Sequence, residues 1–221
     1  MSIYIITGGE GFIGSKITRK VNGQSYDLKS GLDILNTSLF AEHATGMDGI
    51  FHCAAKISVP ESIAHPDEYH RTNVEGTQSV VSTAKKNNTK MVFSSSAAVY
   101  GTSEDVVTEE SSTDPMSPYA QNKLDGEKII RDANIPAVVL RYFNVYGPGQ
   151  SIAYAGVIAT FIQKALKGED LLIHGDGKQT RDFVYVEDVV EANVLAMKYT
   201  KKPFDTFNIA SGDSITILEI A

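Results

Sequence analysis

Short apolar runs alternate with longer amphipathic stretches along most of the chain. The short runs are rich in β-branched residues, which favour strands, and the longer stretches repeat apolar residues at helical spacing. The pattern predicts strands at Ile3–Thr7, Ser25–Leu28, Ile50–Ala54, Met91–Ser95, Ala137–Tyr142 and Phe207–Ala210. It predicts helices at Phe12–Lys20, Asn73–Lys86, Pro118–Ala133, Val157–Lys167 and Val186–Lys198. This alternation predicts an α/β fold, a doubly wound parallel sheet with helices on both faces.

The first predicted strand leads directly into a glycine-rich turn. Gly8, Gly11 and Gly14 lie in Gly8-Gly9-Glu10-Gly11-Phe12-Ile13-Gly14, which contains G-x-G-x-x-G counted from Gly9. Glycines let the turn close tightly and let backbone N–H groups approach a pyrophosphate at the start of the following helix. A tight turn without a ligand is the alternative. The position between a strand and a helix favours a Rossmann-type dinucleotide site.

An acidic residue about 20 positions further on binds the adenosine ribose in such sites. Asp27 is the candidate, and a carboxylate there repels a 2′-phosphate, which favours NAD over NADP. Lys29 and Ser30 follow directly, so NADP remains an alternative cofactor. Asp27 could equally be an ordinary turn aspartate.

Composition excludes several classes of protein. With 221 residues the chain can bury a sizeable core, and a net charge of −7 disfavours a general nucleic-acid binder. The single cysteine, Cys53, excludes an internal disulfide and suits a reducing compartment. No apolar run reaches transmembrane length and the N-terminus does not resemble a signal peptide, so we expect a cytoplasmic protein without a membrane or nucleic-acid partner. We expect no metal site.

Tyr119 and Lys123 are four residues apart on a predicted helix, downstream of Ser94-Ser95-Ser96. Tyrosine is a poor base at neutral pH, because its ordinary pKa is about 10. A lysine one turn away lies on the same helix face, and its charge favours the phenolate. Such pairs also arise by chance on surface helices, so the pair gains weight only beside the glycine-rich turn.

Glycine loop, serines and Tyr-x-x-x-Lys occur here in the order typical of one family. The chain resembles the extended short-chain dehydrogenase/reductases over essentially its whole length, and is most similar to the nucleotide-sugar 4-epimerases that act on UDP-glucose or UDP-N-acetylglucosamine. Four further segments carry the resemblance: His52–Lys56, Thr72–Thr77, Arg141–Pro148 and Gly175–Val189.

The resemblance implies a role for each motif. Tyr119 would be the general base, Lys123 would hold the nicotinamide ribose, and Ser96 would hydrogen-bond the reacting sugar oxygen. NAD contacts are implied for Gly8, Gly11, Phe12, Ile13, Gly14, Asp27, Asp33, Ile34, Ala54, Lys56, Tyr119, Lys123 and Phe143. Substrate contacts are implied for Ser96, Asn144, Val157 and Arg181, with Tyr154–Ile158 as the segment that binds uracil. Core packing is the alternative for Phe143 and Val157, and a buried hydrogen-bonding role is favoured for Asn73.

The residues after Ser96 bear on the reaction. Related dehydratases carry an acid/base pair there and the decarboxylases a glutamate, whereas this chain has Ala97 and Ala98, which cannot transfer a proton. The resemblance therefore favours 4-epimerisation of a UDP-hexose through a transient 4-keto sugar. The alternatives are a dehydratase, decarboxylase or reductase of the same family, or a nucleotide-binding fragment without turnover.

Residues 1–148 are expected to form the NAD-binding domain, with a boundary in the turn-rich segment Tyr146–Gln150. Residues 149–221 would be a small, partial substrate-binding region, and residues 183–200 would pack back onto the first domain. The stretch from Asp27 to His52 is short for the family, which predicts a sheet one strand smaller. The chain stops where Ser214 is predicted to cap a helix, so a truncated form or an incomplete pocket is expected.

The family usually dimerises through the helix that carries Tyr-x-x-x-Lys and the helix before it. In the predicted helix Pro118–Ala133, four apolar residues are available for such an interface: Ala120, Leu124, Ile129 and Ile130. A homodimer is therefore expected.

Overall fold

Parallel strands form the centre of the molecule. The computed structural model describes residues 2–103, 106–151 and 156–221. The strands of its main sheet are β1 (Tyr4–Thr7), β2 (Gln24–Tyr26), β3 (Gly49–His52), β4 (Lys90–Ser96), β5 (Ala137–Tyr142) and β8 (Phe204–Ile209). Within the described ranges these six strands are all parallel, in the order β2-β1-β3-β4-β5-β8.

Helices cover both faces of this sheet. The helices of the described chain are α1 (Gly14–Val21), α2 (Thr37–His43), α3 (Val59–Ala64), α4 (Pro66–His70), α5 (Gly76–Asn87), α6 (Pro118–Ala133), α7 (Val157–Lys167), α8 (Val186–Lys198) and α9 (Ile217–Ile220). Of these, α2, α5 and α6 pack on one face of the main sheet and α1 and α8 on the other. Short 3-10 turns span Leu28–Ser30 and Ala97–Tyr100, and a π-helical turn spans Arg71–Glu75. None of the helices in the described ranges has the length and apolar character needed to cross a membrane.

The strands are apolar on both faces because each face packs against helices. Successive side chains of a strand point to opposite faces. Ile5 of β1 therefore joins the core under α2, α5 and α6, while its neighbour Ile6 joins the core under α1 and α8. In β4, Met91 lies in the same core as Ile5, and Val92 lies in the same core as Ile6. This two-layered core explains why the strands lack an alternating polar pattern.

The Rossmann-type fold expected from the sequence is confirmed. Each of the six predicted strands is present, with β8 beginning earlier than expected, and helices α6, α7 and α8 have the predicted bounds. The prediction of one helix over Asn73–Lys86 was wrong in its first turn, which is π-helical. The predicted cap at Ser214 was also wrong: Ser214 begins β9 (Ser214–Thr216), and Thr216 caps α9 through a capping box with Glu219.

The connection between β2 and β3 is short, as expected. In the described chain α2 is the one α-helix between these strands, and β1 pairs directly with both of them. The strand β2 therefore forms one edge of the sheet and β8 the other. At the β8 edge the Asn208 N–H donates to Glu109 Oε1 at 2.7 Å, and the Thr206 N–H donates to Asp205 Oδ1 at 3.1 Å.

A small second sheet adjoins the carboxyl end of β5. It consists of β6 (Asn144–Tyr146), β7 (Thr180–Tyr185) and β9, in that order, with β6 and β7 parallel and β7 and β9 antiparallel. The chain runs from β7 directly into α8, whose Val189 and Val190 lie in the core of the main sheet. The domain boundary at residue 148 stays a prediction.

The apolar residues of α6 mostly face their own core. Ala120 is 2% exposed and Ile130 is fully buried, so the expectation that they are available for a dimer interface was wrong. Leu124 and Ile129 are half-buried. Within this stripe, Ile130 lies in the core of the main sheet and Ile129 packs against that core.

A chain of buried hydrogen bonds joins β1, β3 and the π-helical turn. The Thr77 hydroxyl donates to the Asn73 carbonyl at 2.6 Å, so its oxygen accepts from Nε2 of His52 at 3.0 Å. The Nδ1 atom of His52 then accepts from the Thr7 hydroxyl at 2.7 Å. Burial, with a contribution from the Lys123 charge, lowers the pKa of His52 to about 3, so the ring is neutral.

Asn73 has the buried hydrogen-bonding role that was expected. Its Oδ1 accepts from the Lys56 N–H at 2.8 Å and its Nδ2 donates to the Lys56 carbonyl at 2.9 Å. Both backbone groups of Lys56 are thereby paired, and the loop after β3 is fixed where it leaves the sheet.

Candidate active site

The glycine-rich turn packs so closely that side chains are excluded. A Cβ at Gly14 would lie 2.1 Å from the Gly8 carbonyl oxygen. Gly8 itself has a φ of +68°, and a Cβ there would lie 2.8 Å from the Ala54 nitrogen. These approaches bring the loops after β1 and β3 together, which is why glycine is required at both positions.

The start of α1 is open to an anion. Phe12, Ile13 and Gly14 line a cavity of about 310 Å³ together with Gly8 and Gly11. Ile13 precedes α1 and offers no side-chain cap, and the first turn carries no acidic residue. The Ser15 and Lys16 N–H groups donate to the Gly11 and Ile13 carbonyls, and no side chain caps the helix start. The positive end of a helix suits a pyrophosphate, so the loop fits a dinucleotide.

Asp27 is buried beside this loop. Its Oδ2 accepts from the Glu10 N–H at 2.9 Å and its Oδ1 accepts from the Lys29 N–H at 2.9 Å. The carboxylate thus joins the glycine-rich turn to the 3-10 turn after β2. A role for Asp27 toward ribose stays a prediction, and the turn-forming role is present as well.

Asp33 and Ile34 follow the 3-10 turn. The Asp33 carboxylate accepts from the Leu35 N–H at 2.9 Å, and the Ile34 side chain is buried in the core beside Gly76. Any contact of Ile34 with adenine would therefore be made by its backbone.

The segment after β3 lies against the cavity. Cys53 and Ala55 line it, and the Ala54 N–H donates to the Thr7 hydroxyl at 3.3 Å. The Lys56 ammonium forms an ion pair with Glu68 and lies 5.7 Å from the centre of the Tyr69 ring, outside the lining of the cavity. Its predicted contact with NAD would need this exposed ion pair to open, and exposed ion pairs are weak.

Ser96, Tyr119 and Lys123 converge on the same cavity. Ser96 ends β4; its Oγ accepts from the Ala98 N–H at 3.2 Å, and its hydroxyl hydrogen-bonds the Tyr119 phenol. Tyr119 and Lys123 come from α6, whose start is capped by Ser117 and by Pro118 at the first helical position. The Lys123 ammonium donates to the Ser94 carbonyl at 2.7 Å.

The electrostatics of the pair differ from the expectation. Burial raises the pKa of Tyr119, and the Ser96 hydroxyl opposes that rise only in part. Burial lowers the pKa of Lys123 itself to about 8, against raising effects of Cys53 and Glu127. The helical spacing predicted a shared face, but burial dominates both pKa values.

A second cleft of about 380 Å³ contains the predicted substrate residues. Asn144, Val157 and Arg181 line it, although they come from β6, α7 and β7. The Arg181 guanidinium donates to the Thr180 carbonyl at 2.8 Å, and the Asn144 amide donates to the Asp182 carbonyl at 2.8 Å. Tyr154 and Ala155 of the predicted uracil segment lie outside the described residues.

The two clefts share part of their walls. Val145 and Gln150 line both, and the Gln150 amide donates to the Val145 carbonyl at 3.3 Å. Phe143 lines the first cleft just before this shared wall. Gln150 was not predicted, although its position in the turn-rich segment after β5 was a usable signal. Ile57 and His174, which line the first and second cleft respectively, were not predicted either.

Known proteins resemble this chain in sequence and in structure. Residues 4–210 match the NAD dependent epimerase/dehydratase family. A UDP-N-acetyl-alpha-D-glucosaminuronate decarboxylase of Bacillus cytotoxicus is 34% identical, covering 98% of this chain and 77% of that protein. A putative UDP-glucose 4-epimerase of Methanocaldococcus jannaschii is 36% identical, covering 98% of this chain and 79% of that protein. A solved structure, the UDP-N-acetylglucosamine 4-epimerase of Methanobrevibacter ruminantium in complex with UDP-N-acetylmuramic acid, superposes with a TM-score of 0.93. It is 33% identical, and the match covers 99% of this chain and 79% of that protein.

Gly14→Ala should abolish dinucleotide binding. The added methyl would meet the Gly8 carbonyl oxygen at 2.1 Å, so the loop must move away from the helix start. We expect destabilisation of about 1–3 kcal/mol from overpacking, despite the better helix propensity of alanine. Gly156→Ala is the matched control, because a Cβ there has its nearest neighbour at 4.0 Å. Calorimetric titration with NAD and thermal unfolding measure both effects, and unchanged NAD affinity in Gly14→Ala would contradict this prediction.

Proposed function

Because the chain belongs to the NAD-dependent epimerase/dehydratase family, we propose that it is a 4-epimerase of a UDP-hexose. Members and neighbours of this family are enzymes that act on nucleotide sugars. The observation that carries the proposal is the junction of the two clefts. A ligand with its diphosphate beside Arg181 and its hexose at Val145 and Gln150 would present the sugar to Ser96 and Tyr119.

The cofactor is NAD. The glycine-rich turn and the uncapped start of α1 suit its pyrophosphate, and Lys123 faces the same cavity. When bound, NAD supplies the hydride acceptor, and it is regenerated in each turnover. Arg181 and Asn144 line the second cleft, so they would hold the substrate rather than this cofactor.

Tyr119 is the proposed general base. It would take the proton of the sugar 4-OH as the 4-keto sugar forms, and return it after the sugar has turned over. Ser96 would donate its hydroxyl proton to the same sugar oxygen when the substrate is bound, since it already lies beside Tyr119. The Lys123 ammonium would favour the phenolate in the transition state, since a nearby positive charge stabilises developing negative charge.

The second cleft is the proposed site of the nucleoside diphosphate. Arg181 supplies a planar fork of donors that matches phosphate oxygens, and Asn144 adds a neutral donor. Val157 and Phe183 supply apolar surface beside them. The segment Tyr154–Ile158 would complete the uracil site.

Epimerisation is favoured over two related reactions by the 3-10 turn after Ser96. Ala97 and Ala98 occupy the positions where dehydratases and decarboxylases need a group that transfers protons. The Bacillus cytotoxicus relative is named a decarboxylase, so decarboxylation of a UDP-uronate is the second candidate. Incubation with UDP-glucose, UDP-galactose, their N-acetyl forms and UDP-glucuronate separates the two, because only decarboxylation releases carbon dioxide.

Two properties of the protein in the cell are also proposed. We propose a homodimer formed through the outer faces of α5 and α6, where the half-buried Leu124 contributes apolar surface. We propose a cytoplasmic location on the composition of the chain alone.

Tyr119→Phe should abolish interconversion of the UDP-hexoses while NAD stays bound. Loss of a positioned general base costs about 100- to 10,000-fold in rate. Tyr185→Phe is the matched control, because it removes an exposed phenol outside both clefts. Product ratios by chromatography and NAD affinity by calorimetry are the measurements. Substantial residual turnover in Tyr119→Phe would refute the assignment of the base.

Arg181→Ala should raise the KM for the UDP-hexose by about 10- to 100-fold with little change in NAD affinity, since a hydrogen bond to a charged group contributes about 1.5–3 kcal/mol. Arg181→Lys should recover only part of this affinity, because an ammonium lacks the planar fork. Arg19→Ala serves as control, because it removes an arginine of α1 whose Nε donates to the Ser15 carbonyl of the same helix. An unchanged KM in Arg181→Ala would exclude the second cleft as the diphosphate site.

The dimer is tested by light scattering coupled to size-exclusion chromatography. We expect the mass of two chains, and substitution of Leu124 by aspartate should return the protein to the mass of one. Because one chain has a mass of 23.9 kDa, the two outcomes are well separated. A wild-type mass of one chain at micromolar concentration would exclude the proposed dimer.

A further inference from the structure

A fully buried carboxylate lies one helical turn beyond Lys123. Glu127 of α6 is 0% exposed, and its Oε1 accepts from the Ser95 hydroxyl at 2.5 Å and from Nε of Arg141 at 3.0 Å. Its Oε2 accepts from Nη2 of Arg141 at 2.7 Å. The carboxylate therefore joins α6 to β4 and β5, and no step of the proposed reaction uses it.

Arg141 extends this hydrogen-bond network to Tyr100. It is 4% exposed, its Nη1 donates to the Tyr100 hydroxyl at 2.8 Å, and its guanidinium carbon lies 4.8 Å from the centre of the Tyr100 ring. Tyr100 ends the 3-10 turn that begins directly after Ser96, and its hydroxyl donates to Asn208 on β8 at 2.7 Å.

We infer that Glu127 is a positioning residue for Ser96, Tyr119 and Lys123. The three side chains belong to two elements, β4 and α6, which must hold one fixed separation. Glu127 binds the residue before Ser96 and, through Arg141, the turn after it. It belongs to the same helix as Tyr119 and Lys123, so one carboxylate fixes both halves of the site.

Glu127 also acts through its charge. Burial lowers the pKa of Lys123 to about 8, while Cys53 and Glu127 raise it. Burial raises the pKa of the Cys53 thiol to about 11, so Cys53 is neutral near pH 7 and Glu127 is the standing negative charge. Without that charge, the Lys123 ammonium should lose its proton at a lower pH.

The kinetic test uses Glu127→Gln, which keeps the shape of the side chain and removes its charge. This test rests on the proposed function, because it measures turnover of the UDP-hexose. We expect kcat for the UDP-hexose to fall about 10- to 100-fold, since small misplacements of catalytic groups have effects of this size. The KM should stay within about 3-fold, because the diphosphate cleft is separate. The alkaline limb of the pH–kcat profile should move to lower pH, because a Lys123 with a lower pKa is neutral over more of the range.

Three further variants separate charge, geometry and folding. Glu127→Asp keeps the charge but shortens the reach, so it should lower kcat and leave the alkaline limb in place. Asp132→Asn removes an exposed carboxylate of the same helix and should change neither kcat nor the alkaline limb. The double variant Glu127→Gln/Arg141→Gln removes both buried charges, which keeps the experiment possible if Glu127→Gln alone does not fold. It should retain the low kcat and the shifted limb.

A second measurement does not depend on turnover. Carbon-13 labelling of lysine Cε, with Lys123→Met to assign the signal, gives the titration midpoint of Lys123 directly by NMR. We expect Glu127→Gln to lower this midpoint by about one pH unit, as for the loss of one nearby opposite charge. If wild-type protein converts no UDP-hexose, the proposed function fails while this titration still tests Glu127. An unchanged midpoint, or wild-type kcat in the double variant, would overturn the inference.

Discussion

The parallel direction of the main sheet is the constraint on which the rest of the structure depends. When strands are parallel, all their carboxyl ends lie at one edge, and the loops that follow them meet there. The glycine-rich turn after β1, Cys53 after β3, Ser96 at the end of β4 and Phe143 after β5 are distant in sequence yet line one cavity. The second sheet begins at the same edge, which explains why the two clefts adjoin.

This constraint also explains why so much was predictable. Alternating strand and helix patterns predict a parallel sheet, and the family resemblance placed Ser96 and Tyr119 at the site. The parallel direction explains why Gly8, Ser96 and Tyr119 line one cavity. Helix α6 was predicted to the residue because a serine cap and a proline mark its start and the left-handed Asn134 follows its end. The elements that were missed, such as α3, α4 and β9, are short and depend on tertiary contacts more than on local pattern.

The parts of the site that escaped prediction are those set by environment. The spacing of Tyr119 and Lys123 gives a common helix face, but the pKa of each depends on how much water surrounds it, which a spacing does not encode. The same holds for Ala120 and Ile130: periodicity shows an apolar stripe, but only packing decides whether it faces the core or a partner. Glu127 had no local signal, since a buried carboxylate and a surface carboxylate look alike in a helix sequence.

The two outer strands of the sheet carry a consequence for self-association. Unpaired backbone groups along an edge invite another strand to add, which is a common route to aggregation. One edge here is β2, whose three residues offer little to pair with. The other is β8, where the carboxylates of Glu109 and Asp205 occupy the outward N–H groups of Asn208 and Thr206. An incoming strand would have to displace negative charge to gain hydrogen bonds, so the sheet is protected against growth at both ends.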